Sequence, residues 1–302
     1  MRRVLEANQV FFSWFLLMSL ALIWGSSFIL MKKGLQIFSA GEVGAVRIIS
    51  AAAVLLPFSI PALKKLKKEH WKLLFFSGLV GSFFPAFLFA TAQTRLSSSV
   101  TGILNALTPL FVLILGVLFF KQNLTRRNLI GIGVGFGGSF LLIFSGSSDA
   151  FWYSINVFTL LVVLATIFYG TNLNLIKHYL QDLSPRVITS VSLLLVGPIA
   201  FIYLFSMTEF TTRFNNPAPA LQSLSFILIL GVIGTGFALV IFNKLVQLTT
   251  PIFTSTVTYL IPVVAVAWGL LDGEKILSYH LIGMVTIIFS IYIINSRNKN
   301  KN

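Results

Sequence analysis

Apolar runs of membrane length, broken by short polar stretches, recur along the whole 302-residue chain. They fall near 11–31, 41–61, 72–93, 98–120, 128–145, 154–176, 187–207, 225–244, 251–271 and 279–295. A span of the hydrocarbon layer needs about 20 such residues. Continuous backbone in lipid must satisfy its own hydrogen bonds, so runs of this length predict helices. A second pattern is laid over the first. Gly78/Gly231, Gly81/Gly234, Thr101/Thr254, Pro109/Pro262 and Gly116/Gly269 are each related by one shift of 153 positions. The chain therefore reads as an all-α membrane protein of ten transmembrane helices, in two copies of a five-helix unit. The copies are 1–148 and 149–302, with the polar connection Ser145-Gly146-Ser147-Ser148-Asp149 at their junction. An odd number of spans per copy sets the second copy upside down relative to the first. Inverted repeats around a central cavity are an architecture for exposing one site to either side in turn.

Composition agrees with this reading. Apolar residues make up 56% and charged residues 10% of the chain, and mean hydropathy is +0.91, whereas a soluble domain carries roughly a quarter charged residues. A net charge of +14 would suggest nucleic acid in a soluble protein. Here the charges sit between apolar runs, so they read as topology signals, and the expected surroundings are a lipid bilayer and no nucleic acid. Cysteine is absent, which removes disulfides and thiolate metal sites. Arg2 and Arg3 before the run Val10 to Met31 imitate a secretory leader. The run exceeds a leader's apolar core, and a retained first helix is expected.

Orientation follows from basic residues in the loops. With a cytoplasmic N-terminus, inside segments hold sixteen Lys and Arg, among them Lys64, Lys65, Lys67, Lys68 and Lys72. Outside segments hold five: Lys32, Lys33, Arg95, Arg213 and Lys275. The expectation is a multi-pass inner-membrane protein with both termini cytoplasmic. Thr208 to Leu224 is expected as the longest loop, on the outer side.

Polar residues inside the runs are the candidate chemistry. Ser98, Thr101, Asn105 and Thr108 are spaced to share one face of the fourth helix. The shift of 153 carries the last three to Thr254, Thr258 and Ile261, with Ser255 adjacent. Such a stripe reads either as a binding face or as glue between helices, and an amide such as Asn105 is its costliest member to bury unpaired. Pro109 and Pro262 each remove a backbone hydrogen bond, which would free the carbonyls of Asn105 and Thr258 for a ligand or water; a packing kink is the other reading. Arg47 is the sole ionisable residue placed well inside a span, and intramembrane charge reads as functional by default; otherwise it binds helix-end carbonyls or snorkels. Glu42 is expected at the interface. The sixth helix offers Thr166, Tyr169, Asn172 and Asn174, for a wet cavity or a helix end. Trp24 and Ser27 of the first helix join the candidate site.

No Asp, Glu or His falls mid-helix. His70, His178 and His280 lie at loop edges, with solvated roles expected. Acid–base pairs and metal clusters are thus missing from the apolar core, which argues against an enzyme. No cofactor or metal is expected.

The chain resembles the drug/metabolite transporter superfamily, in its EamA-like ten-helix branch. The resemblance rests on Trp24-Gly25-Ser26-Ser27-Phe28, Arg47, Pro109, Pro262 and Gly273-Glu274-Lys275, together with the ten duplicated spans. Lys121 stands where the first copy of the family pattern has an acid. The resemblance implies a helical basket around a central cavity, and carriers that move amino acids and other small metabolites, often outward. Small multidrug relatives use a glutamate in the first helix, which has no counterpart in Val10 to Met31.

The expectation is a carrier of a small-molecule solute working by alternating access. The substrate-binding set is Trp24, Ser27, Arg47, Phe87, Thr101, Asn105, Thr108, Tyr169, Asn172, Thr254 and Thr258, and Pro109 and Pro262 are conformational. Phe87 and Trp24 would pack the solute's apolar part, and Arg47 suits an anionic group such as a carboxylate. Alternatives are a non-transporting scaffold or sensor, and an importer in the same fold. The pattern leaves oligomeric state open.

Overall fold

The computed structural model describes residues 2–64, 66–96, 98–123, 125–144 and 157–271, with 282–283, 285–286, 289–290 and 292–293. All regular structure among them is helical. α1 spans Arg2–Gly34, α2 Ala40–Leu63, α3 Lys68–Gln93, α4 Ser98–Asn105, α5 Thr108–Phe120 and α6 Arg126–Phe144. α7 spans Val157–Tyr179, α8 Pro185–Met207, α9 Pro217–Leu248, α10 Pro251–Ser255 and α11 Val257–Leu271. Six helical runs are long and apolar enough to cross a membrane: Gln9–Gly34, α2, α3, α7, α8 and α9. Phe11, Leu118, Phe119, Ile202 and Met207 are exposed among the described residues, as side chains facing lipid would be. The linker 145–156, Gly273-Glu274-Lys275 and His280 lie outside the described residues.

Local chemistry explains the helix starts. Ser39 and Glu42 form a capping box at α2: the Glu42 amide donates to Ser39 Oγ, and the Ser39 amide donates to Glu42 Oε2 at 2.6 Å. Ser184 and Thr250 each cap a helix whose next residue is proline, which is preorganised for the first turn.

Several elements depart from the sequence pattern. The expected outer loop holds a 3-10 turn at Phe210–Asn215, and then α9 starts at Pro217. The fourth apolar run is two helices, broken at Ala106 and Leu107, so its polar stripe is not one continuous face. The ninth run breaks at Thr256. α3 widens to a π-helix at Leu79–Phe83, and α9 does so at Val232–Phe237. The 153-residue shift brings Leu79 onto Val232.

Helices α2 and α8 pack along each other at the centre, with α3 and α9 against both. α1 lies against α9 and α11, and α7 against α3, α4 and α5. Glycines allow the closest approaches. A Cβ on Gly78 would sit 2.5 Å from the Ser192 carbonyl oxygen of α8. One on Gly231 would sit 2.8 Å from the Arg47 carbonyl oxygen and would collide with Ser50 Oγ.

Ion pairs occupy helix ends. Glu42, in the first turn of α2, is fully buried within the protein, and Arg213 Nε lies 3.3 Å from its Oε2. A capping-box role and a cation from the 3-10 turn explain how it tolerates burial. His70 is likewise buried rather than solvated, with Nε2 3.0 Å from Asp182 Oδ2. Lys177 Nζ donates to the carbonyls of Val246 and Thr249 at 3.1 and 2.6 Å, which places a cation on the negative end of α9.

Candidate functional site

The middle of the helical assembly holds a cavity of about 890 Å³ of empty space, counting the part continuous with solvent. Trp24, Ser82, Tyr169 and Thr235 line it, and each lies near the middle of one of the runs 9–34, 68–93, 157–179 and 217–248. Its wall is drawn from α1, α2, α3, α4, α5, α7, α9, α10 and α11. All four interruptions of regular helix reach it. Gly81 and Ser82 come from the π-helix of α3, and Gly234 and Thr235 from that of α9. Asn105 and Thr108 flank one break, and Ser255 and Thr258 flank the other.

Arg47 reaches this wall from the second turn of α2, partly buried. Its Nε–H donates to Thr235 Oγ1 at 2.6 Å, and the Tyr169 phenol lies beside the guanidinium. Among the described residues no ion pair joins Arg47 to a carboxylate. Its placement against Thr235 depends on Gly231, which lets α9 lie on the α2 backbone one turn away.

Trp24 Nε1–H donates to the Gly234 carbonyl at 2.8 Å, a contact between α1 and the π-helix of α9. Its ring packs on Phe242 with centroids 5.2 Å apart. Across the wall, Phe89 stacks on Tyr169 at 5.8 Å and 23° between planes. Asn172 Oδ1 accepts from Ser77 Oγ at 2.6 Å, and its amide fills the space that glycine leaves at Gly81.

Eight of the residues singled out in the sequence line the cavity: Trp24, Ser27, Arg47, Asn105, Thr108, Tyr169, Asn172 and Thr258. Three do not. Phe87 packs on Gly44, Phe83 and Tyr203; the neighbouring ring Phe89 is the one on the wall. Thr101 is fully buried off the cavity. Thr254 is fully buried too, with its hydroxyl 2.9 Å from that of Thr249. Thr254 is separated from Thr258 by the break at Thr256, whereas Thr101 shares the unbroken α4 with Asn105 and lies one turn before the residue that reaches the wall.

The carbonyl freed before Pro109 is not open to a ligand. Thr108 Oγ1 donates to the Asn105 carbonyl at 2.7 Å. Before Pro262 the corresponding carbonyl is that of Thr258, while the Thr258 hydroxyl donates one turn back, to the Ser255 carbonyl at 2.9 Å. Asn174 is also occupied: its Nδ2 donates to the Val112 and Gly170 carbonyls, and Gln122 Nε2 donates to its Oδ1. Thr235, Phe89, Phe242 and Met31 line the cavity without a local sequence signal, although Gly81 and Gly234 belonged to the 153-residue repeat. Among the described residues no cluster of His, Asp or Glu is arranged to hold a metal ion.

Comparison with known proteins bears on what such a cavity serves. A solved crystal structure matches with a TM-score of 0.72 over 94% of this chain and 96% of its own, at 12% identity, and so shares the fold. An "uncharacterized transporter" of Archaeoglobus fulgidus is 25% identical over 93% of this chain and 98% of its own length. The "uncharacterized inner membrane transporter YedA" of Escherichia coli K12 is 23% identical over 92% and 89%. The "S-adenosylmethionine/S-adenosylhomocysteine transporter" of Chlamydia trachomatis serovar L2 is 25% identical over 86% and 82%. The model of the EamA-like transporter family matches twice, over residues 12–144 and 157–296. With two matches that together cover most of the chain, apolar helices of membrane length, and relatives described as transporters along nearly its full extent, this protein belongs to the EamA-like transporter family and is a multi-pass membrane transporter of small molecules.

Proposed function

We propose that this protein carries small metabolites of the amino-acid class out of the cell across the inner membrane, by alternating access of the central cavity. The ten helices would form two inverted five-helix halves, and the cavity would lie where the halves meet. One observation carries the reading: all four helix interruptions among the described residues, two from each half, converge on one cavity. Irregular backbone at membrane depth is tolerated where it lines a cavity, and transporters build their solute sites from discontinuous helices near the midplane. The wall mixes amide, hydroxyl, guanidinium and aromatic groups, which suits a solute with a polar head and an apolar part. The Chlamydia relative named for S-adenosylmethionine, an amino-acid derivative, gives the solute class support from outside this chain.

The test is flux in proteoliposomes against a panel of radiolabelled amino acids and other small metabolites, with counterflow measured in both membrane orientations. Saturable exchange of at least one solute is expected, faster from the cytoplasmic face. Transport only toward the cytoplasmic face would make the protein an importer. Absence of flux for the whole panel would favour a scaffold or sensor.

A further inference from the structure

Arg47 is an unneutralised cation on the wall of a cavity at the middle of membrane-length helices. The described ion pairs lie elsewhere: Arg213 with Glu42 at the start of α2, and Lys67 and His70 with Asp182 at the opposite ends of the bundle. The lining contains no acidic side chain among the described residues. A charge at membrane depth is costly, and such residues pair with an opposite charge or mark a solute path. Among the described residues no opposite charge faces Arg47.

The geometry around Arg47 is ordered. Its Nε–H is taken by Thr235 at 2.6 Å, which fixes the plane of the fork. A guanidinium carries five N–H donors; Thr235 takes one and the Tyr169 phenol engages the fork as well, which leaves further N–H donors for the charge-assisted bonds a carboxylate makes. The neighbouring group decides what the rest of the solute must be. Tyr169 presents its phenol to the guanidinium and its ring to Phe89. Polar and apolar subsites therefore adjoin at one residue. Trp24 tilted against Phe242, and Phe28 edge-on to Phe89, extend the apolar wall.

We propose that the solute binds as an anion, with a carboxylate on the guanidinium of Arg47 and an apolar or planar portion against Phe89, Tyr169 and Trp24. This rests on the carrier reading above and narrows its solutes to amphipathic carboxylates. Cationic amphipaths are excluded, because they meet a fixed positive charge and no acid. An ammonium group on the solute is served only by neutral acceptors such as the Asn105 amide.

The experiment uses three probes of nearly one shape: phenylacetate, phenylacetamide and phenethylamine, carrying an anion, a neutral amide and a cation. Binding of each to the full-length protein in detergent is measured by titration calorimetry. Hydrogen bonds to a charged group are stronger than neutral ones, so phenylacetate is expected to bind roughly tenfold to a hundredfold more tightly than phenylacetamide. Phenethylamine is expected not to compete. Arg47→Gln should bring acid and amide to about equal affinity by removing the charge-assisted pair, with amide binding kept as the sign of a folded site. Thr235→Val, which releases the Nε–H, should lower the preference for the acid without reversing it.

Equal binding of acid and amide to the wild type overturns the proposal, and so does an acid preference that survives Arg47→Gln. If Arg47→Gln fails to fold, the wild-type comparison decides alone. If none of the three probes binds, the assignment also falls. The carrier reading falls only if no solute crosses in proteoliposomes, so the two failures are distinct.

Discussion

Gly231→Ala tests the contact that sets the site. Gly231 lies in α9 against the α2 turn carrying Arg47, one turn before Thr235. An added Cβ would stand 2.8 Å from the Arg47 carbonyl oxygen and 3.2 Å from its Cα, and would collide with Ser50 Oγ. Ser50 is able to rotate away, at the loss of its 2.7 Å bond to the Val46 carbonyl. The Arg47 backbone is inside a helix and moves only with α2 as a whole. Overpacking of this kind costs about 1–3 kcal/mol. Alanine returns up to about 1 kcal/mol through helix propensity. A net loss of up to about 2 kcal/mol follows, or as much as a roughly 30-fold fall in the folded-to-unfolded ratio. Gly133→Ala is the control, because nothing lies within 4 Å of its Cβ position, so it should be neutral or slightly stabilising. Reversible unfolding in mixed micelles by increasing denaturing detergent, followed by circular dichroism, measures both. Flux of Gly231→Ala should fall further than its stability explains, since the shift separates Arg47 from Thr235. Stability of Gly231→Ala equal to or above that of Gly133→Ala would refute the reasoning.

Asn105→Leu should reduce flux about tenfold or more while changing stability by at most about 1 kcal/mol, because membrane hydrogen bonds contribute roughly 0.6–2 kcal/mol each and Thr108 keeps its bond to the Asn105 main chain. Parallel loss of stability and flux would assign Asn105 to helix packing instead. Lys177→Met should cost about 1 kcal/mol in the same unfolding assay by uncapping the negative end of α9; an unchanged midpoint would show that the cap contributes nothing. A phosphatase fused after Lys68 should be inactive and a fluorescent protein there bright, as the sixteen-to-five basic bias requires; an active phosphatase would invert the proposed topology. Liposomes with equal solute on both sides should not accumulate it under an imposed pH gradient. The described cavity wall has no acid or histidine, Glu42 is held by Arg213 and its own cap, and a guanidinium stays protonated. Uphill accumulation abolished by a protonophore would contradict this.

The sequence made the helices legible because length and hydropathy alone separate a membrane span from a loop. It also made Arg47, Asn105 and the glycines at 78, 81, 231 and 234 stand out, because each is anomalous where it sits. Side-chain facing was less legible. Phe87 and Phe89 are equally aromatic, yet two residues on a helix rotate by about 200°, and only packing shows that Phe89 is inside. Thr254 pairs with Thr258 only on an unbroken helix, which the turn at Thr256 violates, and Thr101 is buried off the cavity although it shares α4 with Asn105. Thr235 has no local signal at all, since its partner Arg47 is 188 positions away. His70 looked solvated because its partner, Asp182, comes from a distant segment.

The breaks also reassign the polar groups. An unpaired carbonyl at membrane depth costs several kcal/mol, so each break needs a local donor. Thr108 serves the Asn105 carbonyl, Thr256 that of Phe253, and Thr258 that of Ser255. Hydroxyls that read as a binding stripe in the sequence are thus committed to closing the breaks that shape the cavity. A hydroxyl that donates to its own helix keeps acceptor capacity but has no hydrogen to offer a solute. On the carrier reading, donors to the solute would then come from wall groups with hydrogens to spare, such as the guanidinium of Arg47 and the amides of Asn105 and Asn172. Selectivity therefore falls on charge and amide chemistry, and the threonines act by holding the interrupted helices open around it.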